Sequence, residues 1–568
     1  MRNKEVAAVL YEIADLLDIK GEEFKPNAYR RAARVLEGYG EDVEVLGAEH
    51  RLKDVSGVGE ALTDKITEYL TTGKISLLEN LKRETPQGVV EMLAIPGVGP
   101  KTVGLVWKEL GITSIEDLKN AAKGHQIMKL RGFGEKREAK ILRSIEFLSE
   151  AKKRTPLGVA LPLAEEIVEF VKVNAPVIRM AFAGSVRRMK ETAGDLDFLA
   201  VSSKREDVVR VFTKMPMVRE VAMAGETKAT VILRDGIQAD LRVLDERSWG
   251  SGLQYFTGSK DHNVHLRTVA QKQGLKLNEY GLFRGDEQIS GATEEEVYRS
   301  LGMQFIEPEM REDAGEIEAA QEGRLPKLVA MADMRGDFHV HTNLSDGGDS
   351  LEVMVEAARP RGYSYVGISD HSASLKVAHG VSVEDLLRQR DKVRAINQAS
   401  GGFRVLLGTE CEILANGDLD YPDDILGELD FVIASVHSKF NMQLREMTDR
   451  VLTAVSHPHV NILAHPFTGM VHRREPIQLD LERVAEEAAE AGTALEINAF
   501  PDRLDLSGPQ ARLAKEKGAK LVIDTDSHLA EHLAFMRLGV GTARRGWLEP
   551  EDVVNCWPYE RVVDFFSH

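Results

Sequence analysis

One recurrence in the last third of this 568-residue chain constrains its fold more than any other feature. Seven short apolar runs follow one another there, separated by helical stretches such as LEVMVEAARPRG and LERVAEEAAEAG. The runs are GDFHVHT, YVGISDH, VLLGTE, FVIASVH, ILAHP, ALEINAF and LVIDTDSH, and ionisable residues recur at or just after their ends. Alternating strands and helices with such residues at the carboxyl ends of the strands are typical of a parallel barrel. The sequence therefore predicts an α/β barrel over about residues 333–568.

These runs supply nine side chains that could bind metal ions. They are His339, His341, Asp346, His371, Glu410, His437, His465, Asp526 and His528. Nine ligands are too many for one ion, so we expect two or three, and imidazole with carboxylate but no sulfur suits Zn²⁺, Mn²⁺ or Fe²⁺. Ions clustered about 4 Å apart indicate hydrolysis of phosphoesters by an activated water. Asp370, beside His371, is expected to orient a ligand from outside the cluster.

The alternative explanation is that these residues have structural roles. An isolated histidine at a strand end is usually a hydrogen-bonded core or surface residue. Repetition of the same arrangement along seven runs is not explained in that way. We therefore interpret the last third as a metal-dependent domain.

Two carboxylates one residue apart occur in a second part of the chain, in GSVRRMKETAGDLDF. Asp195 and Asp197 lie on one predicted strand, so both side chains leave the same face of the sheet. A surface acidic pair is the common explanation. Adjacent carboxylates repel each other unless cations lie between them, however, and Mg²⁺ prefers such oxygens together with phosphates. The run GIQADLRVL supplies Asp240 as a third carboxylate, and the set predicts two-metal phosphoryl transfer.

The segment before these carboxylates suits a triphosphate. Gly184 and Ser185 form a predicted turn, and Arg187 and Arg188 follow it. An arginine fork binds phosphate oxygens at two points, which a lysine cannot do. Turn and carboxylates together predict a site that adds a nucleotide to a 3'-hydroxyl and releases pyrophosphate.

A repeat occupies the first 150 residues. Three segments, beginning at Val55, Ile95 and Leu130, each contain an apolar residue, a Gly-x-Gly turn and an amphipathic helical stretch. The glycines are Gly57, Gly59, Gly97, Gly99, Gly132 and Gly134. Glycine lets the backbone approach a partner, and the helix that follows begins with unpaired amides, a combination that binds phosphate without reading bases. One copy would be an ordinary helix corner, but three resemble the helix-hairpin-helix motif of DNA repair proteins.

Further basic residues lie near the first repeat. Lys65 is in its helix, where a partly desolvated lysine could form a Schiff base with an opened abasic sugar. The earlier stretch NAYRRAARVLEGY carries three arginines on adjacent turns. A solvated basic face and a DNA contact explain those arginines equally well.

Charge and cysteine content limit the class of protein without deciding whether it binds DNA. Of the formal net charge of −18, residues 331–568 contribute −14, from 24 Lys and Arg against 38 Asp and Glu. Cys411 and Cys556 are the only cysteines, which argues against a disulfide framework and a thiolate zinc site. No apolar run reaches the roughly 18 residues that span a bilayer, and the N-terminus does not resemble a signal peptide. We expect a cytoplasmic protein.

Five motifs of the first part of the chain occur in a characteristic order and spacing: GSVRR, GDLDF, ADLRV, YFTGSKDHN and NEYGLF. With these motifs, residues 1 to about 318 resemble the family X (polymerase beta-like) DNA polymerases. The resemblance implies that Asp195, Asp197 and Asp240 hold two Mg²⁺ or Mn²⁺ ions, and that Lys65 is the lyase nucleophile. It implies a nucleotide site formed by Gly184, Ser185, Arg188, Tyr255, Phe256, Gly258 and Asn263, in which the aromatic pair leaves no room for a 2'-hydroxyl. Gln238 departs from the arginine of the animal enzymes, so a charge near Asp240 is lost.

The histidine-bearing runs of residues 333–568 resemble the motif set of the PHP (polymerase and histidinol phosphatase) domain. Many bacterial family X polymerases carry this domain at their C-terminal end. The resemblance implies a distorted seven-stranded (βα)7 barrel that holds two or three Zn²⁺ or Mn²⁺ ions. The implied activity is that of a 3'-5' exonuclease, with related cleavage of 3' ends and abasic sites.

These observations predict a multidomain enzyme. The expected parts are a lyase-like helical domain at 1–83, a helix-hairpin-helix subdomain at 84–150, an α/β nucleotidyltransferase palm at 151–245, a nucleotide-selection subdomain at 246–318, a linker at 319–332 and a PHP domain at 333–568. We expect a monomeric DNA-directed DNA polymerase that binds gapped or primer-template DNA and deoxynucleoside triphosphates but no membrane. It would fill short gaps and trim 3' ends. Two alternatives stay open: a DNA-binding scaffold whose metals only stabilise the fold, and a small-molecule phosphatase.

Overall fold

The structure is a computed structural model that describes residues 2–37, 39, 41–55, 57–151, 154–399 and 401–567. The chain divides into two units, Met1–Lys152 and Lys153–His568. No helix among the described residues combines the length and the apolar content that crossing a membrane requires.

The first unit is helical throughout its described residues. Its helices are α1 (Asn3–Lys20), α2 (Lys25–Glu37), α3 (Val43–Ala48), α4 (Glu60–Thr72), α5 (Ser76–Glu84), α6 (Gln87–Glu91), α7 (Pro100–Leu110), α8 (Ile115–Lys123) and α9 (Glu135–Ala151). These helices are amphipathic, and their apolar faces pack together in one buried core that stabilises them. The predicted helical N-terminal region with helix-hairpin-helix turns is confirmed.

Each of the three predicted repeats has the same local form. The first glycines, Gly57, Gly97 and Gly132, have φ angles of +87°, +77° and +85°. L side chains are strained in that region, so the sequence needs glycine there. A helix begins directly after each second glycine.

The second unit begins with an α/β domain built on a five-stranded sheet. Its elements are β1 (Thr155–Pro156), α10 (Leu157–Asn174), β2 (Arg179–Phe182), α11 (Gly184–Arg187), β3 (Thr192–Ala193), β4 (Asp195–Val201), α12 (Arg205–Thr213), β5 (Val218–Ala224), β6 (Lys228–Leu233) and β7 (Gln238–Leu244). The sheet order is β2-β4-β7-β6-β5, with β4 and β7 parallel, and β1 pairs separately with β3. Because side chains alternate along β4, Leu196 and Phe198 enter the core while Asp195 and Asp197 face the opposite side.

A region of helices and short antiparallel strands follows. Its elements are α13 (Trp249–Thr257), α14 (Lys260–Lys272), β8 (Lys276–Asn278), β9 (Gly281–Arg284), β10 (Glu287–Ser290), α15 (Glu294–Ser300) and α16 (Glu316–Gln321). The three strands form one sheet in the order β10-β9-β8. Helix α16 packs into the core of this region through Ile317 and Ala320.

Six of the seven predicted runs near the C-terminus form one parallel sheet in sequence order. The elements of this barrel domain are α17 (Leu351–Ala358), β11 (Tyr365–Ile368), α18 (Val383–Ala399), β12 (Arg404–Glu412), α19 (Asp423–Leu426), β13 (Phe431–Ser435), α20 (Leu444–Val455), β14 (Ile462–Leu463), α21 (Leu481–Ala491), β15 (Ala494–Asn498), α22 (Gly508–Glu516), β16 (Leu521–Asp524), α23 (Met536–Arg545) and α24 (Tyr559–Phe566). The strands are buried on both faces, as apolar runs of this kind require.

The first predicted run closes the sheet without forming a regular strand. On one side, the backbone carbonyl of Val340 accepts a hydrogen bond from the amide of Ser369, next to β11, at 2.9 Å. On the other side, the amide of His341 donates to the carbonyl of Ser527, next to β16, at 2.8 Å. Residues 337–341 therefore lie between the first and the last strand, and the predicted distorted barrel is confirmed.

Candidate functional site

Three aspartates meet on the outer face of the five-stranded sheet. Strand β4 carries Asp195 and Asp197, and the parallel strand β7 places Asp240 directly opposite Asp197. Burial, followed by the charges of Asp195 and Asp240, raises the pKa of Asp197 to about 7. Burial and the charge of Asp240 also raise the pKa of Asp195. A carboxylate whose charge raises the pKa of another in this way lies close to it.

The third aspartate is fixed by its neighbours on the sheet. The side-chain amide of Gln238 donates to Oδ2 of Asp240 at 2.7 Å, and the Thr230 hydroxyl donates to its other oxygen. Gln238 therefore supplies a neutral hydrogen bond at the position where the sequence lacks a positive charge. Neither partner neutralises the carboxylate.

The donor set of the three aspartates fits divalent cations that prefer oxygen ligands. Burial is the main cause of the raised pKa of Asp197, and Arg242 and Arg188 only partly offset the charges of Asp195 and Asp240 there. Oxygen ligands on two adjacent strands suit Mg²⁺ or Mn²⁺. The ligand atoms of these three carboxylates do not all lie within 4.8 Å of one another, as far as the described residues show.

A cleft of about 580 Å³ opens beside these aspartates and is called the central cleft below. It is lined by Arg154, Gly184, Ser185, Arg188, Lys190, Gly194, Asp195, Asp197, Tyr255, Phe256, Thr257, Gly258, Lys260, Asn263 and Arg267. All seven residues expected to form a nucleotide site are in this lining, although they come from two distant parts of the sequence. Sequence reasoning did not single out four further cations of this lining, Arg154, Lys190, Lys260 and Arg267.

The two arginines of the predicted fork have different partners. Arg188 lines the central cleft, and its Nε donates to Glu312 at 2.9 Å. Arg187 points away and forms a bidentate pair with the buried Glu294, which also accepts from Arg311. Arg187 thus ties the five-stranded domain to the region that follows it, and one arginine of the pair remains for a ligand.

An aromatic pair forms one wall of the central cleft. The rings of Tyr255 and Phe256 meet edge to face with centroids 5.1 Å apart. Asn263 donates to the backbone carbonyl of Tyr255 at 2.7 Å and accepts from Gln254 at 2.7 Å. Gly258, with φ of +71°, ends the helix that carries both rings. These bonds fix the aromatic wall before any ligand arrives.

A separate pocket of about 650 Å³ lies in the first unit. Lys65 lines it together with Lys25, Tyr29, Gly57 and Gly59. Its wall also includes Leu17, Ala28, Ala61, Leu62 and Leu77, so the two lysines border a largely apolar hollow. The structure thus brings the predicted reactive lysine next to the first Gly-x-Gly turn.

The nine predicted metal ligands of the barrel form one continuous set, called the histidine cluster below. Three groups have ligand atoms within 4.8 Å of one another: His341, Asp346, His371 and His528; His339, His341 and Asp526; His371, Glu410 and His437. His465 joins through Glu410, its Nε2 lying 3.0 Å from a carboxylate oxygen. His341 and His371 each belong to two groups, so the groups are contiguous.

The histidine cluster fits metal ions on its own chemistry. Nε2 of His339 and both ring nitrogens of His341 are buried without a hydrogen-bond partner. Burial, together with His528 and His371, lowers the pKa of His341 to about 4, which keeps that ring neutral near pH 7. Buried polar atoms without partners are rare, and a neutral imidazole is the form that binds a metal. The donor set of imidazole and carboxylate suits ions such as Zn²⁺ or Mn²⁺.

Three residues outside the predicted ligand set hold it in place. Glu496 lies 2.6 Å from Nδ1 of His339, and Glu412 lies 3.0 Å from Nδ1 of His437. Arg503 donates to Asp526 at 3.1 Å. Second partners of this kind orient ligand rings. Glu496 could have been predicted from the sequence, because it lies in the sixth apolar run.

Asp370 binds the loop that leads from His341 to Asp346. Its carboxylate accepts hydrogen bonds from the amide and hydroxyl of Thr342, from Ser345 and from Gln389. No hydrogen bond to a ring of the histidine cluster is present among the described residues. Asp370 therefore holds the loop that leads to the predicted ligand Asp346, and its role in orienting a ligand stays a prediction.

Comparison with protein families matches four parts of the chain. A helix-hairpin-helix domain matches residues 1–75, and a SAM-like helix-hairpin-helix tandem matches residues 89–146. The DNA polymerase beta thumb matches residues 252–312, and the PHP domain matches residues 337–499.

Curated relatives match the whole chain or parts of it. The DNA polymerase/3'-5' exonuclease PolX of Bacillus subtilis is 38% identical over 572 residues, which cover 100% of both chains. DNA polymerase lambda of Arabidopsis thaliana is 25% identical over 54% of this chain and 62% of its own length. A probable phosphatase of Syntrophotalea carbinolica is 29% identical over 41% of this chain and 95% of its own length.

Proposed function

Because this chain belongs to the family of the Bacillus subtilis DNA polymerase/3'-5' exonuclease PolX, we propose that it fills short gaps in DNA during repair and trims 3' ends. It is a DNA-directed DNA polymerase with a 3'-5' exonuclease. The observation that carries the proposal is the presence of two metal-type ligand sets, the three aspartates and the histidine cluster, on separate domains. Incubation of a gapped duplex with and without deoxynucleoside triphosphates tests it, since extension and 3' trimming should both be seen.

For nucleotide addition, we assign Asp195, Asp197 and Asp240 as the ligands of two Mg²⁺ or Mn²⁺ ions. Ions held there would lower the pKa of a primer 3'-hydroxyl and neutralise the charge of pyrophosphate. The turn at Gly184 and Ser185 would present backbone amides to the triphosphate. Arg188 and the other cations of the central cleft would bind its oxygens.

The aromatic wall would select the sugar. Tyr255 and Phe256 border the same cleft as the aspartates, and their backbone is anchored through Asn263. A fixed ring against the sugar leaves no room for a 2'-hydroxyl, which favours deoxynucleotides. Gly258 keeps the entrance beside Arg188 open, because a methyl there would lie 3.2 Å from Nη1 of Arg188.

For 3' trimming, we assign the nine residues of the histidine cluster to two or three Zn²⁺ or Mn²⁺ ions. Such ions supply the Lewis acidity for attack of water on a phosphodiester. Glu496 and Glu412 would fix the ring orientations of His339 and His437 and raise their basicity as ligands. Arg503 would hold the carboxylate of Asp526.

The helix-hairpin-helix turns would bind the DNA backbone. A methyl group added at Gly59, Gly99 or Gly134 would meet no atom within 4 Å, so the fold of this unit does not itself require glycine there. Close approach by an outside partner explains these glycines better than packing does. Backbone amides at the start of α4, α7 and α9 would face phosphates and give binding without base specificity.

The barrel alone could instead act as a small-molecule phosphatase, which its similarity to a probable phosphatase favours. The two activities are separated by supplying histidinol phosphate and a 3'-recessed duplex at equal concentrations. We expect faster release of nucleotides from the duplex. Faster release of inorganic phosphate from histidinol phosphate would favour the phosphatase.

Lys65 is expected to be the nucleophile of an abasic-site lyase. Replacing it by arginine keeps the charge but removes the amine that forms a Schiff base. Reduction with borohydride should therefore cross-link the unaltered protein to DNA that carries a 5'-deoxyribose phosphate. The Lys65→Arg protein should give at least about a tenfold weaker cross-link.

Lys25 provides the matched control, because it lines the same pocket. Lys25→Arg is expected to retain most of the cross-link. The reverse result would assign the nucleophile to Lys25, and a full cross-link in both variants would exclude this pocket as the lyase site.

Gly184→Ala is expected to slow nucleotide addition by about a hundredfold, the usual effect of a displacement of about 1 Å at a reacting group. Gly184 has φ of +60°, and a methyl there would lie 2.5 Å from Oδ2 of Asp197. Single-turnover addition to a gapped duplex measures the effect. Gly225→Ala, in the turn between β5 and β6, meets nothing closer than 3.7 Å and should change the rate less than about twofold.

A further inference from the structure

Helix α23 of the barrel domain packs directly behind the Gly184 turn. A methyl group at Gly541 would lie 2.5 Å from the side chain of Met189, so the two segments are in close contact. Met189 has φ of +54° and ends the turn, in which the amide of Lys190 donates to the carbonyl of Ser185 at 3.0 Å. The turn of the central cleft is therefore supported by a residue of another domain.

Arg545, at the end of α23, reaches the same turn with its side chain. The side chain is only 5% exposed. Its Nη1 donates to the backbone carbonyl of Arg188 at 3.1 Å and to Oε1 of Glu312 at 3.0 Å. A buried arginine is costly to desolvate, so its hydrogen bonds define its geometry closely.

Glu312 connects Arg545 to the central cleft. The oxygen that accepts from Arg545 also accepts from Nε of Arg188 at 2.9 Å. Two more charged groups lie nearby. Lys190 is 3.7 Å from Glu312. Glu191 is 3.7 Å from Arg545. Burial favours the protonated form of Glu312, but the cations led by Arg188 outweigh it and lower its pKa. Glu312 is therefore a carboxylate between two arginines.

The Arg188 guanidinium is held at two of its three nitrogens. Its Nη1 donates to the backbone carbonyl of Thr257, and its Nε donates to Glu312. Nη2 of Arg188 has no hydrogen-bond partner among the described residues, and Arg188 lines the central cleft. The bonds to these two nitrogens set the direction in which Nη2 points.

We propose that Arg545 is a positioning residue for nucleotide binding: through Glu312 and the Arg188 carbonyl, it holds the Arg188 guanidinium in the orientation that receives the triphosphate. The proposal rests on the proposed function, since it assigns Arg188 to the triphosphate. It makes the barrel domain part of the polymerase site, in addition to its own activity. Arg545 itself touches no substrate.

The neighbouring residue, Arg544, allows a positioning role of Arg545 to be distinguished from a purely structural one. Arg544 bridges to Glu309 at 2.7 Å and to Glu307 at 3.2 Å and donates to the carbonyl of Val329. It therefore joins the same helix to the region before it, but it has no hydrogen bond to the Gly184 turn or to Glu312 among the described contacts. Loss of either arginine weakens domain packing, whereas only Arg545 affects Arg188.

The test compares Arg545→Ala with Arg544→Ala in the full-length protein. KM for a deoxynucleoside triphosphate and kcat are measured on a single-nucleotide gap, with 3' trimming and thermal melting recorded in parallel. We expect about a tenfold rise in KM for Arg545→Ala, in keeping with loss of a charge-assisted hydrogen bond, and less than about a twofold rise for Arg544→Ala. The rate of 3' trimming should be unchanged in both. Equal KM values for Arg545→Ala and the unaltered protein, or equal rises in both variants, would overturn the proposal.

A double-mutant cycle shows whether Arg545 acts through Arg188. In an Arg188→Ala background, adding Arg545→Ala should raise KM no further, because residues that act as a unit are not additive. A full additional rise would refute the assignment. If Arg545→Ala does not fold, Arg545→Lys, whose nitrogen lies one bond short of the position of Nη1, should raise KM by severalfold, and an unchanged KM would refute the assignment.

These outcomes are distinct from a failure of the proposed function. If the unaltered protein adds no nucleotide to a gap, the proposed function itself is wrong. If it adds nucleotides and only the arginine variants behave unexpectedly, the role of Arg545 alone is wrong.

Discussion

Replacing Asp195 and Asp197 together by alanine should lower the rate of nucleotide addition by about a thousandfold or more, since several kcal/mol of charge stabilisation disappear with the ions. Both side chains project from the same face of β4, Asp197 lies opposite Asp240, and burial with repulsion already raises the pKa of Asp197 to about 7. The 3' trimming of a recessed duplex should stay within about twofold, because the histidine cluster is on another domain. Addition to a gapped duplex at saturating triphosphate measures the first rate.

Asp207→Ala is the matched control for that experiment. Asp207 lies on α12 of the same domain, where it pairs with Arg210 in the next turn, an exposed contact of little energetic weight. Its loss should leave gap filling unchanged. If gap filling survives the loss of Asp195 and Asp197, the chain is better described as a DNA-binding scaffold whose metals stabilise the fold.

His339→Ala should reduce 3' trimming by about a hundredfold or more, while nucleotide addition stays within about twofold. His339 forms one group with His341 and Asp526 that could hold a metal ion, and its Nε2 is buried with no hydrogen-bond partner among the described residues. Removing the ring takes a proposed ligand from the set and leaves Oε1 of Glu496 without the ring nitrogen that it contacts. Release of nucleotides from a 3'-recessed duplex, without triphosphates, measures the loss.

His457→Ala controls for the loss of any histidine from the barrel domain. His457 lies 3.3 Å from Asp423, away from the histidine cluster, and is partly exposed. The metal content of the purified proteins should fall in His339→Ala and not in His457→Ala. Equal loss of trimming and nucleotide addition in His339→Ala would contradict the assignment of two independent sites.

The features that follow local periodicity were predictable. Asp195 and Asp197 share a face because side chains alternate along a strand, and that rule needs no knowledge of the rest of the fold. The strand-end histidines were predictable for a similar reason, since parallel strands bring their carboxyl ends to one rim. In both cases a spacing of a few residues determines the geometry.

The features that depend on packing between distant segments were not predictable. Arg187 and Arg188 look equivalent in sequence, but Glu294, more than a hundred positions away, binds one of them. Asp370 precedes a ligand, yet its hydrogen bonds go to the loop at Thr342. Arg545 carries no motif at all, and its link to the central cleft depends on how α23 packs against the Gly184 turn.

The segment that closes the barrel gives the histidine cluster a second consequence. Residues 337–341 bear His339 and His341 and are held to their neighbours by a few backbone contacts rather than by a regular ladder. Ions bound to these two histidines would link this segment to Asp526, just after β16, from inside the ring. Bound ions would then stabilise the closed barrel, and the apoprotein would open more readily between this segment and the adjacent strands.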